Sequence, residues 1–226
     1  MTTTSNRNKK KRTSSKSRSR TRRRGRSSNL MLWLFLGVLV LLFAGIAFAS
    51  RSGVGTTEIT QASASGEALP EYPQGAAPDA DPAVGSVAPE FSGETFDGEA
   101  VTITPGDGTP KAISFLAHWC PHCQREMPTV VDWVENGGLP EGVELIGVAS
   151  DIDRNRPNFP PDTWFENEGW PGSNVVDGDS AVAQSYGRSG YPFWVLVDGD
   201  GNVVQRWSGE TTAEQLDERI GQLAEG

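Results

Sequence analysis

The sequence predicts an α/β domain with a central mixed β-sheet flanked by helices, preceded by one transmembrane helix and a disordered linker. Three observations carry this expectation: an uncharged apolar run at residues 30–49, two strand-like apolar runs separated by a helix-like stripe, and a later strand pair joined by a Gly- and Asp-rich turn. Both cysteines and both histidines fall within six residues, His118-Trp119-Cys120-Pro121-His122-Cys123, where the first strand run meets the helix stripe.

Of the 20 Lys and Arg residues, 12 lie between residues 7 and 26, and no acid precedes Glu58, so residues 1–29 read as a basic tail. Residues 30–49 follow without a charge and are rich in Leu, Val and Phe; at 1.5 Å per residue, twenty residues span about 30 Å of hydrocarbon. Basic residues stay on the cytoplasmic side, which places the tail inside the cell membrane and the rest of this single-pass chain outside. The alternative is a signal peptide cleaved after Ala49, since Ala47-Phe48-Ala49 matches a small-x-small site, but the apolar run exceeds the usual ~7–15 residues of a signal core and favours a retained signal anchor. Membrane topology accounts for the basic tail without a nucleic-acid role.

Beyond the span, 8 basic residues face 29 acids, a formal charge of −21, which excludes nucleic acid as a partner of this part. Residues 50–83 are rich in Ser, Ala, Gly and Pro and keep no helix or strand period, so they read as a flexible extracytoplasmic linker. Residues 84–226 suffice for one domain.

Within it, residues 111–117 are apolar on both alternating faces, as in a central strand covered on two sides. Next, Met127, Val130, Val131 and Val134 recur at helical spacing until Gly137-Gly138, with Pro128 expected to kink the helix rather than end it. Residues 143–149 read as a second inner strand, parallel to the first. Residues 193–197 and 203–207 flank Asp198-Gly199-Asp200-Gly201-Asn202, an antiparallel hairpin; the turn lacks the distal Glu of a calcium loop. A closing helix over 212–223 carries Ala213, Leu216, Ile220 and Leu223 on one stripe, with Thr211 and Glu214 as its expected capping box. Trp164, Phe165 and Trp170 could line a groove but read better as satellite core packing.

A Cys-x-x-Cys pair at a helix start gives its first sulfur to solvent and to the positive helix end, with the second one turn inward. Closing so short a loop removes little chain entropy, so the bridge suits cycling better than stapling. Thiol–disulfide exchange is the leading reading. His118, Cys120, His122 and Cys123 also form a set of copper or zinc donors, but two lie at a strand end and two in a helix, an arrangement that does not converge.

Trp119-Cys120-Pro121-His122-Cys123 matches the active-site pattern of the thioredoxin-like superfamily, and Gly190-Tyr191-Pro192 before a strand resembles its cis-proline loop. Val84-Gly85-Ser86-Val87-Ala88-Pro89-Glu90-Phe91 resembles the entry segment of membrane-anchored TlpA/ResA/DsbE-type proteins and of peroxiredoxins, and Glu126-Met127-Pro128 resembles the TlpA group. The resemblance implies that Cys120 attacks, that Cys123 resolves, and that Trp119, Tyr191 and a cis Pro192 receive the substrate chain. It implies protein thiols or disulfides as substrates, a membrane redox partner that recycles the pair, and no cofactor beyond the Cys120–Cys123 disulfide.

Two departures bear on direction. Pro121 and His122 between the cysteines resemble DsbA-type oxidases, and an imidazolium beside Cys120 would favour the reduced form by ~30 mV per pKa unit. Ser114 stands where thioredoxins carry a buried acid; Glu126 is a candidate replacement, but as a helical carboxylate it is expected to be exposed. The expectation therefore leans to an oxidase or isomerase, the alternative being a TlpA/ResA-like reductase serving cytochrome c maturation or a similar process. A peroxiredoxin would need a hydroxyl residue at 117 and a proline at 113, which are Ala117 and Ile113. Sco-type copper proteins have a wider cysteine spacing and a remote histidine, and no His follows His122.

Overall fold

Six consecutive buried residues, Lys111–Leu116, mark the centre of the domain, as expected for a strand with a packed layer on each face. The computed structural model describes residues 62–75, 77 and 80–224, together with Leu34. The basic tail, the expected membrane span apart from Leu34, and the first part of the expected linker lie outside the described residues. Among those described, no helix is long and apolar enough to cross a membrane.

The elements run β1 (Ser63–Ser65), β2 (Glu90–Glu94), β3 (Ala100–Ile103), β4 (Lys111–Leu116), α1 (Pro121–Glu135), β5 (Glu144–Ser150), α2 (Pro161–Glu168), β6 (Ser173–Asp177), α3 (Ala181–Ser185), β7 (Phe193–Val197), β8 (Val203–Ser208) and α4 (Ala213–Gly221), with a final 3₁₀ turn at Gln222–Ala224. The main sheet has the order β6-β5-β4-β7-β8. Strands β4, β5 and β6 pair in parallel, and β7 and β8 join antiparallel, so the sheet is mixed as expected. A second sheet, β1-β2-β3, is antiparallel and was not foreseen.

Alternation in the strands builds two cores. Ile113, Phe115, Val148 and Val195 face a core closed by Phe91, Val182 and Tyr186. Ala112, Leu145, Trp194 and Leu196 face the other, closed by Val130 and Trp133 of α1 and by Leu216 and Ile220 of α4. Each such large side chain contributes about 1.5–3 kcal/mol by leaving water. Trp194 and Trp207 stack across β7 and β8 with centroids 5.5 Å apart and planes 7° from parallel. The hairpin turn closes through Asp198, which accepts from the backbone N–H of Asn202 at 2.7 Å.

Two expectations need correction. The capping box of α4 is Thr212 with Gln215, not Thr211 with Glu214. Thr211 is buried, its hydroxyl accepting from Arg219 at 3.2 Å and its N–H donating to Glu126, so the cap falls one residue later. The linker, read as flexible to residue 83, is a packed strap where its residues are described, from Ala62 onward: β1 pairs with β2, and Leu69 and Tyr72 are buried. Its prolines abolish strand and helix periods, yet an extended chain still buries side chains and offers carbonyls. Arg206, 0% exposed, donates to Asp81 at 2.6 Å and 2.9 Å and to the carbonyl of Pro70 at 2.9 Å, tying strap to sheet. Helix α1 continues through Pro128.

Candidate active site

At the C-terminal end of β4, the chain turns from Ala117 into α1, and Cys120 occupies the N-cap with φ −76° and ψ 120°. Pro121 opens the helix, where its missing N–H sacrifices no intrahelical bond. Both cysteines are free thiols, Cys120 6% exposed and Cys123 wholly buried. The Cys120 thiol donates to the carbonyl of Tyr191 at 3.6 Å.

Cys120 is held down to about 6, chiefly by the hydrogen bond from the Cys123 thiol. Burial opposes this, while the N–H groups of Cys123 and His122 and, last, the His122 charge assist. At pH 7 roughly nine-tenths of Cys120 is then thiolate. Burial, followed by the hydrogen bond to Cys120, pushes the Cys123 thiol far up. The two sulfurs are thus set for different tasks: one is a ready nucleophile, and the other stays protonated until a base takes its proton.

A candidate for that base lies on the same helix. Contrary to expectation, Glu126 is 1% exposed. It lies three residues after Cys123 on the inner face of α1, beside Met127 and Val130, and accepts from the Trp194 indole at 3.1 Å. Burial raises it to about 8, against the stabilising Trp194 and Thr211 donors. Its second oxygen, Oε1, has no partner, and neither does the buried hydroxyl of Ser114, which pairs in register with Trp194. The sequence held the signal: 123, 126, 127 and 130 fall on one helical stripe.

His122 is exposed and meets Glu210 at 2.5 Å, the carboxylate also taking two N–H groups of Arg125. The ring therefore faces an acid, and His122 contributes least among the causes acting on Cys120. The peptide bond before Pro192 is cis, as the resemblance implies. Tyr191 meets Trp119 edge to face at 6.3 Å. Beside them, His122, Gly190, Tyr191, Ser208, Gly209 and Gln74 border a cleft of about 310 Å³. Gln74, from the strap, was not foreseen there; it donates to the Ser189 carbonyl at 3.0 Å.

His118 is buried at the strand end, its Nδ1 donating to Pro157 O at 2.7 Å and its Nε2 accepting from Asp153 N–H at 3.3 Å. Both ring nitrogens are engaged, and among the described residues no three His, Cys, Asp or Glu side chains gather as a metal site. Trp164 and Phe165 pack in a core with Cys123 and Met127. Trp170 and Phe165 cover Gly147, where an added Cβ would lie 2.7 Å from the indole and 2.8 Å from the phenyl ring. Ala117 and Ile113 are fully buried apolar residues, and neither supplies the hydroxyl or proline of a peroxide site.

The redoxin family model matches residues 83–220. The thiol–disulfide oxidoreductase ResA of Bacillus thuringiensis subsp. konkukian is 26% identical over 137 residues, covering 61% of this chain and 76% of that protein. ResA of Geobacillus thermodenitrificans is 28% identical over 142 residues, with the same coverage of 61% and 76%. Among solved structures, the thioredoxin domain of a thiol–disulfide oxidoreductase from Bacteroides vulgatus is 24% identical with a TM-score of 0.52, covering 63% of this chain and 98% of that one. DsbF of MTB is 28% identical with a TM-score of 0.50, covering 58% and 93%. The likeness shows a thioredoxin-like fold.

Proposed function

We propose a direction of electron flow for this chain, which belongs to the redoxin family and is a thiol–disulfide oxidoreductase: it reduces disulfide bonds of polypeptides outside the cytoplasmic membrane. The observation that carries this reading is the buried Glu126 on the stripe of Cys123. In reduction, the Cys120 thiolate attacks a substrate disulfide, forming a mixed disulfide and releasing one substrate thiolate. Cys123 then passes its proton to the Glu126 carboxylate and attacks Cys120 Sγ. This releases the second substrate thiolate and leaves the Cys120–Cys123 disulfide. Two electrons pass to the substrate, and the rate of release depends on deprotonating a thiol that burial keeps neutral.

The oxidase lean rested on His122, and that support weakens because His122 faces Glu210 and contributes least to the Cys120 thiolate. The ResA relatives point the same way as Glu126. Tyr191 and cis Pro192 would take the substrate chain beside Cys120, with Trp119 as the other wall. The apolar run at 30–49 and the basic tail support a single-pass anchor with the domain outside. A membrane dithiol donor would return the pair to its reduced form.

The test is the reduction potential of the pair, read by Trp119 fluorescence in thiol–disulfide buffers. A value near the thioredoxin end, about −270 mV, agrees with a reductase. A value near about −120 mV overturns it in favour of an oxidase.

A further inference from the structure

Only 8 Lys and Arg residues follow residue 50, against 29 acids, so where they lie is informative. Lys111 and Arg206 are buried in ion pairs, and Arg219 lies over Trp207. Two others stack on the two aromatic rings that meet beside the attacking sulfur. The Arg156 guanidinium carbon sits 4.1 Å from the Trp119 ring centroid, and that of Arg188 sits 4.5 Å from the Tyr191 ring centroid.

Neither placement is accidental to the local chain. The loop carrying Arg156 is bonded to the site at four points. His118 donates to Pro157 O and accepts from Asp153 N–H, the Trp119 indole donates to Asp151 O at 2.7 Å, and Asn158 donates to His118 O at 3.1 Å. Asp151 and Asn158 hold left-handed backbone, with φ of 52° and 59°, so the loop doubles back over the site. Arg188 follows α3, its N–H bonded to Ala183 O at 3.0 Å, and its side-chain Nε is buried without a partner.

A guanidinium held over a ring face spends no N–H group on that contact and can present an N–H edge, and the contact removes much of the rotamer freedom that binding would otherwise cost. That edge matches a carboxylate, which accepts two parallel N–H bonds. Arg188 has no carboxylate partner among the described residues, whereas Arg156 is 3.5 Å from Asp153 and must share it. Asp151 and Asp177 are the acids that act on Tyr191; the buried Asp177 carboxylate is taken by Ser150 and by the N–H groups of Val182 and Ala183, and Glu210, beside His122, is occupied by Arg125 and His122. These arginines do not act on the nucleophile: the groups that hold the Cys120 thiol down are Cys123, two backbone N–H groups and His122.

We infer that Arg188 and Arg156 form a carboxylate-recognition surface around the attacking cysteine, and that the polypeptides this protein acts on carry acidic residues flanking the exchanged cysteine. The inference rests on the exchange reading above and adds the class of substrate. In a domain so acidic, an acidic partner is repelled at a distance; within a Debye length the two guanidiniums reverse that preference.

The experiment uses the reduced full chain and three disulfide peptides identical except for the residues flanking the cysteine, which are Glu, Gln or Lys. Turnover of the Gln peptide reads the exchange itself; its absence would sink the proposed function, independently of the present inference. The ratio of kcat/KM between peptides reads the inference. The expected order is Glu over Gln over Lys, with about fivefold between the first two. R188Q should bring the Glu-to-Gln ratio to about one while leaving the Cys120 thiolate midpoint near pH 6. R156Q, on the exposed loop, should lower the ratio by a smaller factor and guards against misfolding of the first variant. Equal rates for the three peptides, a preference for Lys, or variants that slow all three alike would overturn it.

Discussion

Replacing Glu126 by Gln keeps the shape of the side chain and its acceptor for the Trp194 indole but removes the ionisable group. The folded carboxyl is raised to about 8 by burial, whereas an unfolded Glu titrates near ~4.3. A raised folded value means that the native state holds a proton the unfolded chain has lost. The associated stability is complete below about pH 4 and disappears as pH climbs through about 8. At ~1.4 kcal/mol per unit the whole window is worth about 5 kcal/mol, of which roughly 3–4 is gone by pH 7. Urea unfolding of the disulfide form, in which neither cysteine titrates, should show native stability falling over this window relative to Glu126→Gln. The difference between the two proteins isolates this group from Asp177, which is also raised, and from Asp81 and Asp107, which are lowered. In single-turnover reduction of a peptide disulfide, the variant should form the mixed disulfide at the native rate and resolve it about 100-fold more slowly, the scale of a lost general base. Mass spectrometry of acid-quenched samples would catch the accumulated species. Resolution at the native rate, or a stability difference independent of pH, would refute the assignment of Glu126 as the base.

Other expectations follow from the same geometry. Cys123→Ala removes the largest cause of the depressed Cys120 value and should move its thiolate absorbance midpoint well above 6, whereas His122→Ala should move it less. Alkylation of wild-type Cys120 should lose rate as pH falls through about 6, because its folded value lies below that of a free thiol. Asp81→Ala strands a buried guanidinium and should cost about 3–5 kcal/mol in urea unfolding. Gly187→Ala should lower the melting temperature, since φ is 73° and the new Cβ would meet the Pro70 carbonyl at 2.2 Å, pushing the strap off the domain.

The central sheet was legible because β4, β5 and β7 are mostly apolar runs whose burial comes from their own side chains, β8 followed from the Gly- and Asp-rich turn that joins it to β7, and the cysteine pair stood at a strand-to-helix junction. The rest escaped for identifiable reasons. Strand β1 is Ser63-Ala64-Ser65, with no hydrophobic period, and exists because β2 supplies hydrogen bonds from 29 residues away at Ser92. The strap is fixed by Arg206, whose partner Asp81 is 125 residues distant in sequence. Burial of Glu126 was readable from the helical stripe, but its polar side chain masked the pattern. Thr211, buried with its N–H on Glu126, leaves the cap of α4 to Thr212. The arginine stacks depend on two loops with left-handed residues, which no local pattern announces.

The complete burial of Cys123 next to a nearly nine-tenths ionised Cys120 has a bearing on how the site survives oxidants. A thiolate is the form that peroxide converts to sulfenic acid, and a sulfenic acid left alone advances to sulfinic and sulfonic acids that thiols do not restore. Here a second thiol lies within hydrogen-bonding reach of the first, so the first oxidation product condenses to the same disulfide that the exchange cycle already regenerates. Damage is thereby routed into a state the protein visits anyway, and the concealed sulfur, 0% exposed, is itself shielded from the reagent.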